Sequence, residues 1–314
     1  MHVPDGFISF PVALGTGLVS TGAIAFSLKK SQVSFSQKTA PIFGLTTAFI
    51  FAAQMVNFPV TGGTSGHLLG GVLAAIILGS PWLATLSTAL VLIIQAVFFA
   101  DGGITALGVN ILNISVIGVW VGWGLTQILR TQFGNSWNRL PLFAGIGAGI
   151  SVVMAAIACS IELALSHTVP LGVVLPAMAG IHVLIGIGEG IITAVVVAGL
   201  VKFRPDLFVA IEQPLKGWLI PVIGIFVVAA ILSLFASSWP DGLEAVAEEI
   251  GFAKLAENIP IAVPTPFADY SISGLNTLGT SISGIVGAII CFVTAFVVVK
   301  FTQSANSDRN IVNP

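Results

Sequence analysis

The chain has 314 residues, of which 56% are hydrophobic and only 8% are charged, and its mean hydropathy is +1.04. This composition excludes an ordinary soluble domain and is typical of a polytopic membrane protein. The formal net charge of -2 and the lack of a long basic run give no indication of a nucleic-acid partner.

The amino terminus, Met1-His2-Val3-Pro4, is the first informative segment. The Met1 amine, the His2 main-chain nitrogen and the His2 imidazole can chelate one metal ion through a five-membered and a six-membered ring. A plane of four nitrogens suits Ni²⁺, Cu²⁺ or Co²⁺, whereas Zn²⁺ prefers a tetrahedron. The alternative is that His2 is an ordinary residue of a frayed terminus.

Apolar runs occur along the whole chain, and most are long enough to cross about 30 Å of hydrocarbon. We therefore predict an all-α polytopic membrane protein. A change of composition after residue 236 marks an external segment. The two crossings around this segment form a two-span unit, residues 206–314, appended to a core of seven crossings, residues 1–205. The predicted crossings are 10–28, 40–57, 67–80, 84–100, 106–129, 141–166, 176–201, 218–236 and 277–300.

The basic residues predict the orientation of these crossings. Ten of the eleven Lys and Arg residues fall on one side. By the positive-inside rule, the amino terminus is then outside and the carboxyl terminus is cytoplasmic. The residues on the predicted cytoplasmic side are Lys29, Lys30, Lys38, Arg130, Arg139, Lys202, Arg204, Lys216, Lys300 and Arg309.

This topology places Met1, His2 and the loop 58–67 on the same external face. His67 is therefore the best candidate for a fourth in-plane nitrogen. The glycines around His67, between residues 61 and 71, would allow the main chain to enter the protein at membrane depth. The same glycines could instead serve helix packing.

Polar residues within or beside the crossings are costly in a membrane and suggest roles. Ser65, Asn57, Asn110 and His182 are candidates to orient the metal ligands, or to form hydrogen bonds between helices. Glu162 and Glu189 also lie within crossings, and Glu189 is too deep to be a ligand, which favours a role in helix contacts or a partner interface. No phosphate-binding loop and no His-Glu-x-x-His motif is present, so we expect neither ATP hydrolysis nor other enzyme activity from this chain.

Four segments, in order, resemble the substrate-binding components of cobalt/nickel energy-coupling-factor (ECF) transporters of the CbiM/NikM type. The segment from Trp239 resembles the PDGLE domain, which is named for Pro240-Asp-Gly-Leu-Glu244 and is often fused to them. The four segments are Met1-His-Val-Pro-Asp-Gly-Phe-Ile-Ser9, Asn57-Phe-Pro-Val-Thr-Gly-Gly-Thr-Ser-Gly-His-Leu-Leu-Gly-Gly71, residues 95–110 and residues 182–193.

The resemblance implies a seven-helix fold in the plasma membrane that holds the metal in a square plane. The ligands would be the Met1 amine, the main-chain and ring nitrogens of His2, and His67. Ni²⁺ or Co²⁺ would be the transported substrate, with no permanent cofactor, and the partners would be a transmembrane coupling component, cytoplasmic ATPases and membrane lipid. The alternative function is a membrane sensor that binds the metal without transporting it.

Overall fold

The computed structural model of the protein describes residues 1–32, 39–205, 218–256 and 265–312, with side chains in the last helix to residue 303. Lys38 and Lys216, which the sequence places on the cytoplasmic side, lie outside the described residues. The described chain is a bundle of helices with one short hairpin. The prediction of an all-α polytopic membrane protein is confirmed, because six helices are long and apolar enough to span a membrane.

The helices of the amino-terminal part precede residue 205, and a two-stranded hairpin interrupts them. Strands β1 (Phe58–Val60) and β2 (Thr64–Gly66) form this hairpin. The helix that begins at Pro81 continues as a π-helix over Gln95–Phe99, and a second π-helix, Ile111–Gly118, leads into the helix that begins at Val119. The helices are α1 (Phe10–Ser31), α2 (Thr39–Gln54), α3 (Gly71–Leu78), α4 (Pro81–Ile94), α5 (Leu107–Asn110), α6 (Val119–Phe133), α7 (Leu140–Leu165) and α8 (Leu171–Phe203).

The carboxyl-terminal part contains two longer helices and an irregular segment between them. Its helices are α9 (Leu219–Ala230), α10 (Gly242–Ile250) and α11 (Asn276–Val312). Single 3₁₀ turns lie at Leu232–Phe235, Ala253–Ala256 and Ala268–Tyr270. The spanning candidates in the whole described chain are Phe10–Ser31, Pro81–Phe99, Leu107–Phe133, Leu140–Leu165, Leu171–Phe203 and Asn276–Gln303, with Thr39–Gln54 and Leu219–Phe235 as shorter apolar helices.

The third predicted crossing, 67–80, does not form a spanning helix. Only Gly71–Leu78 is helical, and eight residues rise about 12 Å, well short of the hydrocarbon thickness. Gly70 and Gly79 flank α3 with φ angles of 75° and 62°, a left-handed conformation that glycine adopts without steric cost. Residues 67–70 instead run through the protein interior without regular structure, and all four are buried.

Close contact between glycines holds α7 against α8. A Cβ added to Gly149 would lie 2.7 Å from the Gly186 carbonyl oxygen, and one added to Gly145 would lie 2.6 Å from that of Gly190. Small residues at these positions let the two backbones touch, which is the usual way that helices pack in membranes. Helix α8 of this closely packed pair carries Glu189, which contacts the interior segment 67–70.

The carboxyl-terminal helices pack on α2. Gly44 of α2 faces the Phe292 ring of α11, and Gly287 of α11 faces the Phe51 ring of α2. Between α9 and α11, the chain returns to the end of the bundle that carries the amino terminus. There the Ser65 N–H donates a hydrogen bond of 2.8 Å to the Pro240 carbonyl, so the two parts of the chain meet beside the β-hairpin.

Candidate metal centre

The amino terminus is folded into the protein. Met1 is 5% exposed and His2 is 7% exposed, so the alternative of a frayed terminus is wrong. The Asn110 side chain holds the Val3 peptide on both sides: its Oδ1 accepts from Val3 N at 2.7 Å, and its Nδ2 donates to the Val3 carbonyl at 3.0 Å. The Gly103 N–H donates to the same carbonyl at 2.9 Å. The terminus is thus fixed by the loop after α4 and by the helix that this loop enters.

The Met1 amine and the His67 imidazole are in direct contact. The amine nitrogen lies 2.6 Å from Nε2 of His67. His67 Nδ1 lies 3.1 Å from the Leu68 carbonyl oxygen and donates to it. Nε2 of His67 is therefore the ring nitrogen with a free lone pair. Burial lowers the pKa of His67 from 6.5 to about 3, and the nearby amine and His2 add to the effect, so Nε2 is available as a ligand at neutral pH.

Two polar side chains form hydrogen bonds with the main chain just after His67. The two carboxylate oxygens of Glu189 accept hydrogen bonds from Leu69 N at 2.8 Å and Gly70 N at 3.1 Å. Gln54 Nε2 donates to the Leu69 carbonyl at 2.9 Å. The sequence suggests helix contacts or a partner interface for Glu189, whereas the structure shows that it anchors the main chain after His67.

The His2 ring lies beside the His67 ring. Their centroids are 4.8 Å apart and the ring planes differ by 6°. His2 Nδ1 is 2.9 Å from Asp101 Oδ1, and the Tyr270 hydroxyl donates to the other Asp101 oxygen at 2.5 Å. Burial opposes ionisation of Asp101, but His2 and Tyr270 outweigh it and hold the pKa of this carboxyl below its usual range.

A ring nitrogen has only one in-plane position for a proton or a metal. Nδ1 is the His2 nitrogen that would close a six-membered chelate ring, and in this structure it is paired with Asp101. Metal binding through Nδ1 therefore requires that hydrogen bond to break. His2 Nε2 is buried and has no hydrogen-bond partner among the described residues, so nothing polar holds the far side of the ring.

Asp241 is a further charged residue beside Met1 and His67. Its Oδ2 lies 2.9 Å from the Met1 amine nitrogen. Burial would raise the pKa of Asp241, but the amine and His67 outweigh it and keep the pKa below its usual range. The sequence patterns did not indicate that Asp101, Asp241 or Tyr270 belongs to the site.

The remaining candidates have hydrogen-bond partners of their own. Ser65 binds the Pro240 and Trp239 carbonyls, and Asn57 accepts from Ser237 N through its own carbonyl at 2.8 Å. His182 Nδ1 is 2.8 Å from the Met178 carbonyl oxygen, and its ring packs on Gly242. Glu162 is buried on α7, where Asn113 Nδ2 donates to it at 2.6 Å.

The arrangement suits a metal ion only if main-chain nitrogens take part. Three or more His, Cys, Asp and Glu side chains do not converge as a metal cluster in the described parts of the chain. Two nitrogens about 2.0 Å from a metal and at a right angle would be about 2.8 Å apart. The 2.6 Å separation between Met1 N and His67 Nε2 is close to this value, so the pair fits neighbouring corners of a plane.

Comparison with known protein families identifies both parts of the chain. The CbiM family, described as the cobalt uptake substrate-specific transmembrane region, matches residues 2–207, and the PDGLE domain matches residues 216–304. The chain belongs to the CbiM family. This CbiM-family chain carries a PDGLE domain after the matched region, as the resemblance in sequence predicted.

Relatives of this CbiM-family chain are named as nickel or cobalt transport proteins. It is 35% identical to the putative fused nickel transport protein NikMN of Archaeoglobus fulgidus, over 97% of this chain and 100% of the relative. It is 34% identical to the fused nickel transport protein NikMN of Rhodobacter capsulatus, over 82% of this chain and 80% of the relative. The crystal structure of a truncated transition metal transporter covers 64% of this chain and 99% of its own, with 35% identity and a TM-score of 0.58.

Proposed function

We propose that this chain is the substrate-capture subunit of an ATP-driven ECF-type importer for Ni²⁺ or Co²⁺. The ion would be held in a square plane by the Met1 amine, the main-chain and ring nitrogens of His2, and Nε2 of His67. Residues 1–205 would form the capturing core and residues 206–314 its PDGLE unit. Support comes from the family membership and from relatives that are named as nickel and cobalt transport proteins.

One observation carries the metal-binding part of this proposal. A free amine and an unprotonated imidazole nitrogen, buried and 2.6 Å apart, are a pair of nitrogen donors that one metal ion could bridge. A metal ion bound there would take the place of a proton of the amine. Binding releases protons because each ligand must be unprotonated, so affinity should fall as the pH is lowered.

We further propose that the site opens to the outside of the cell. The distribution of basic residues supports this orientation. Transport would then need a transmembrane coupling component and cytoplasmic ATPases, because no phosphate-binding loop occurs in this sequence. A planar site that includes an amide favours Ni²⁺ on ligand-field grounds, and availability in the cell would contribute to selectivity.

The test is uptake of radioactive Ni²⁺ and Co²⁺ by cells without their own importers. The chain would be expressed alone and together with its coupling component and ATPases, beside a His67→Ala control. Uptake that needs the partners and disappears in the control would support the importer. Metal binding to the purified chain without uptake under any of these conditions would favour the sensor instead.

A further inference from the structure

The carboxyl-terminal part of the chain supplies a charged group to the metal centre. Asp241 Oδ2 lies 2.9 Å from the Met1 amine, and the exposed fractions of the two side chains are 12% and 2%. The ion pair is therefore largely shielded from water, where charge-assisted hydrogen bonds are strongest. A role for this ion pair in metal binding rests on the proposed function, since it concerns how the same centre holds its amine ligand.

The two oxygens of Asp241 have separate contacts. Oδ1 accepts from Leu243 N at 2.8 Å and Glu244 N at 2.9 Å, which caps the first turn of α10. Oδ2 is left to face the amine of Met1. The cap fixes the carboxylate in one orientation, so its position does not depend on the metal site.

The loop before Asp241 is also fixed to the core. The Pro240 carbonyl accepts hydrogen bonds from Ser65 N at 2.8 Å and Thr64 Oγ1 at 3.0 Å. These two residues belong to β2, which directly precedes His67. Asp241, which contacts the Met1 amine, and His67, which supplies the imidazole, are consequently both attached to β2. This strand therefore sets the distance between them.

We propose that Asp241 is a positioning residue that aims the Met1 amine at His67. One N–H of the amine points to Asp241 Oδ2, and this directs another toward Nε2 of His67. The metal ion displaces the proton between the two nitrogens, and that proton leaves to solvent. A metal-bound primary amine still has two N–H groups, so the contact with Asp241 survives binding while the metal occupies the remaining direction.

The test is Ni²⁺ titration of the purified full-length chain, with its native amino terminus, as wild type, Asp241→Asn and Glu248→Gln. Asparagine is as good a helix cap as aspartate, so the substitution keeps the α10 contact and removes the charged partner of the amine. Glu248 is exposed on the same helix, and its substitution removes an equal charge away from the centre. We expect Asp241→Asn to weaken Ni²⁺ binding about tenfold to a hundredfold, as for other residues that orient metal ligands, and Glu248→Gln to bind like wild type.

The absorption spectrum separates a positioning role from ligation or misfolding. Asp241→Asn, saturated with Ni²⁺, should show the wild-type visible spectrum, because the ligand nitrogens are unchanged. Its circular dichroism spectrum without metal should match that of Glu248→Gln, which shows that the helical fold is retained. Equal affinity in all three proteins would overturn the proposal, as would a changed spectrum, which would make Asp241 a ligand. Failure of the wild type itself to bind Ni²⁺ would instead reject the proposed function.

Discussion

The Met1 amine lies 2.6 Å from Nε2 of His67, although 66 positions separate the two residues. Neither residue could hold this contact alone. Asn110 fixes the peptide after His2, and Glu189 fixes the main chain after His67. The centre therefore depends on groups in separate helices, and each dependence can be tested.

Acetylation of the Met1 amine should abolish high-affinity Ni²⁺ binding. The acetyl group converts the primary amine into an amide and leaves no free amine to close the five-membered ring. It also places extra atoms in a region where Met1 is 5% exposed. Calorimetric titration of the protein acetylated at Met1 measures the effect, and the same protein with a free Met1 amine is the matched control. Equal affinity in the two proteins would rule out the amine as a ligand.

Asn110→Ala should weaken metal binding and reduce stability. The substitution leaves the buried Val3 N–H without its acceptor, which costs about 1–3 kcal/mol for a buried unsatisfied group. The terminus is then less well fixed, so Ni²⁺ affinity should fall by about tenfold. Asn138→Ala, in an exposed loop, is the control. An Asn110→Ala protein with wild-type affinity would show that the terminus is held by its other contacts alone.

Glu189→Gln should also weaken binding, through the His67 segment. The glutamine amide can accept from only one of the two N–H groups of Leu69 and Gly70, and it presents its own NH₂ to the other. We expect a loss of about 1–3 kcal/mol in the free energy of unfolding and a lower Ni²⁺ affinity. Glu249→Gln, exposed on α10, controls for charge. A Glu189→Gln protein that binds normally and fails only in uptake would support the partner-interface role that the sequence suggests.

The metal-free protein should lose stability on acidification below about pH 6.5. Burial lowers the pKa of His67 to about 3 in the folded state, whereas an unfolded histidine has a pKa near 6.5. The unfolded state therefore binds the additional proton, and the free energy of unfolding falls between about pH 6.5 and 3. Thermal unfolding of wild type and His67→Ala at several pH values measures the contribution of His67 to this loss of stability. An identical pH dependence in the two proteins would contradict it.

The long apolar helices and the shared face of Met1 and His67 could be predicted because they depend on hydropathy, charge and chelate chemistry. The short α3 could not, since a run of apolar residues does not reveal that Gly70 and Gly79 end the helix on both sides. Asp241 and Tyr270 could not be assigned either. Their contacts with Met1 and Asp101 depend on how the carboxyl-terminal part packs on the core, which no local pattern specifies.

The central claim is a planar nitrogen site built on the amino terminus. Its most direct test is Ni²⁺ titration of the purified, untagged protein, monitored by visible absorption and repeated with His67→Ala. We expect one ion per chain and the yellow, diamagnetic spectrum of square-planar Ni²⁺, with most of the affinity lost in His67→Ala. No stoichiometric binding, or binding indifferent to His67, would contradict the claim and direct attention to Glu162 and His182.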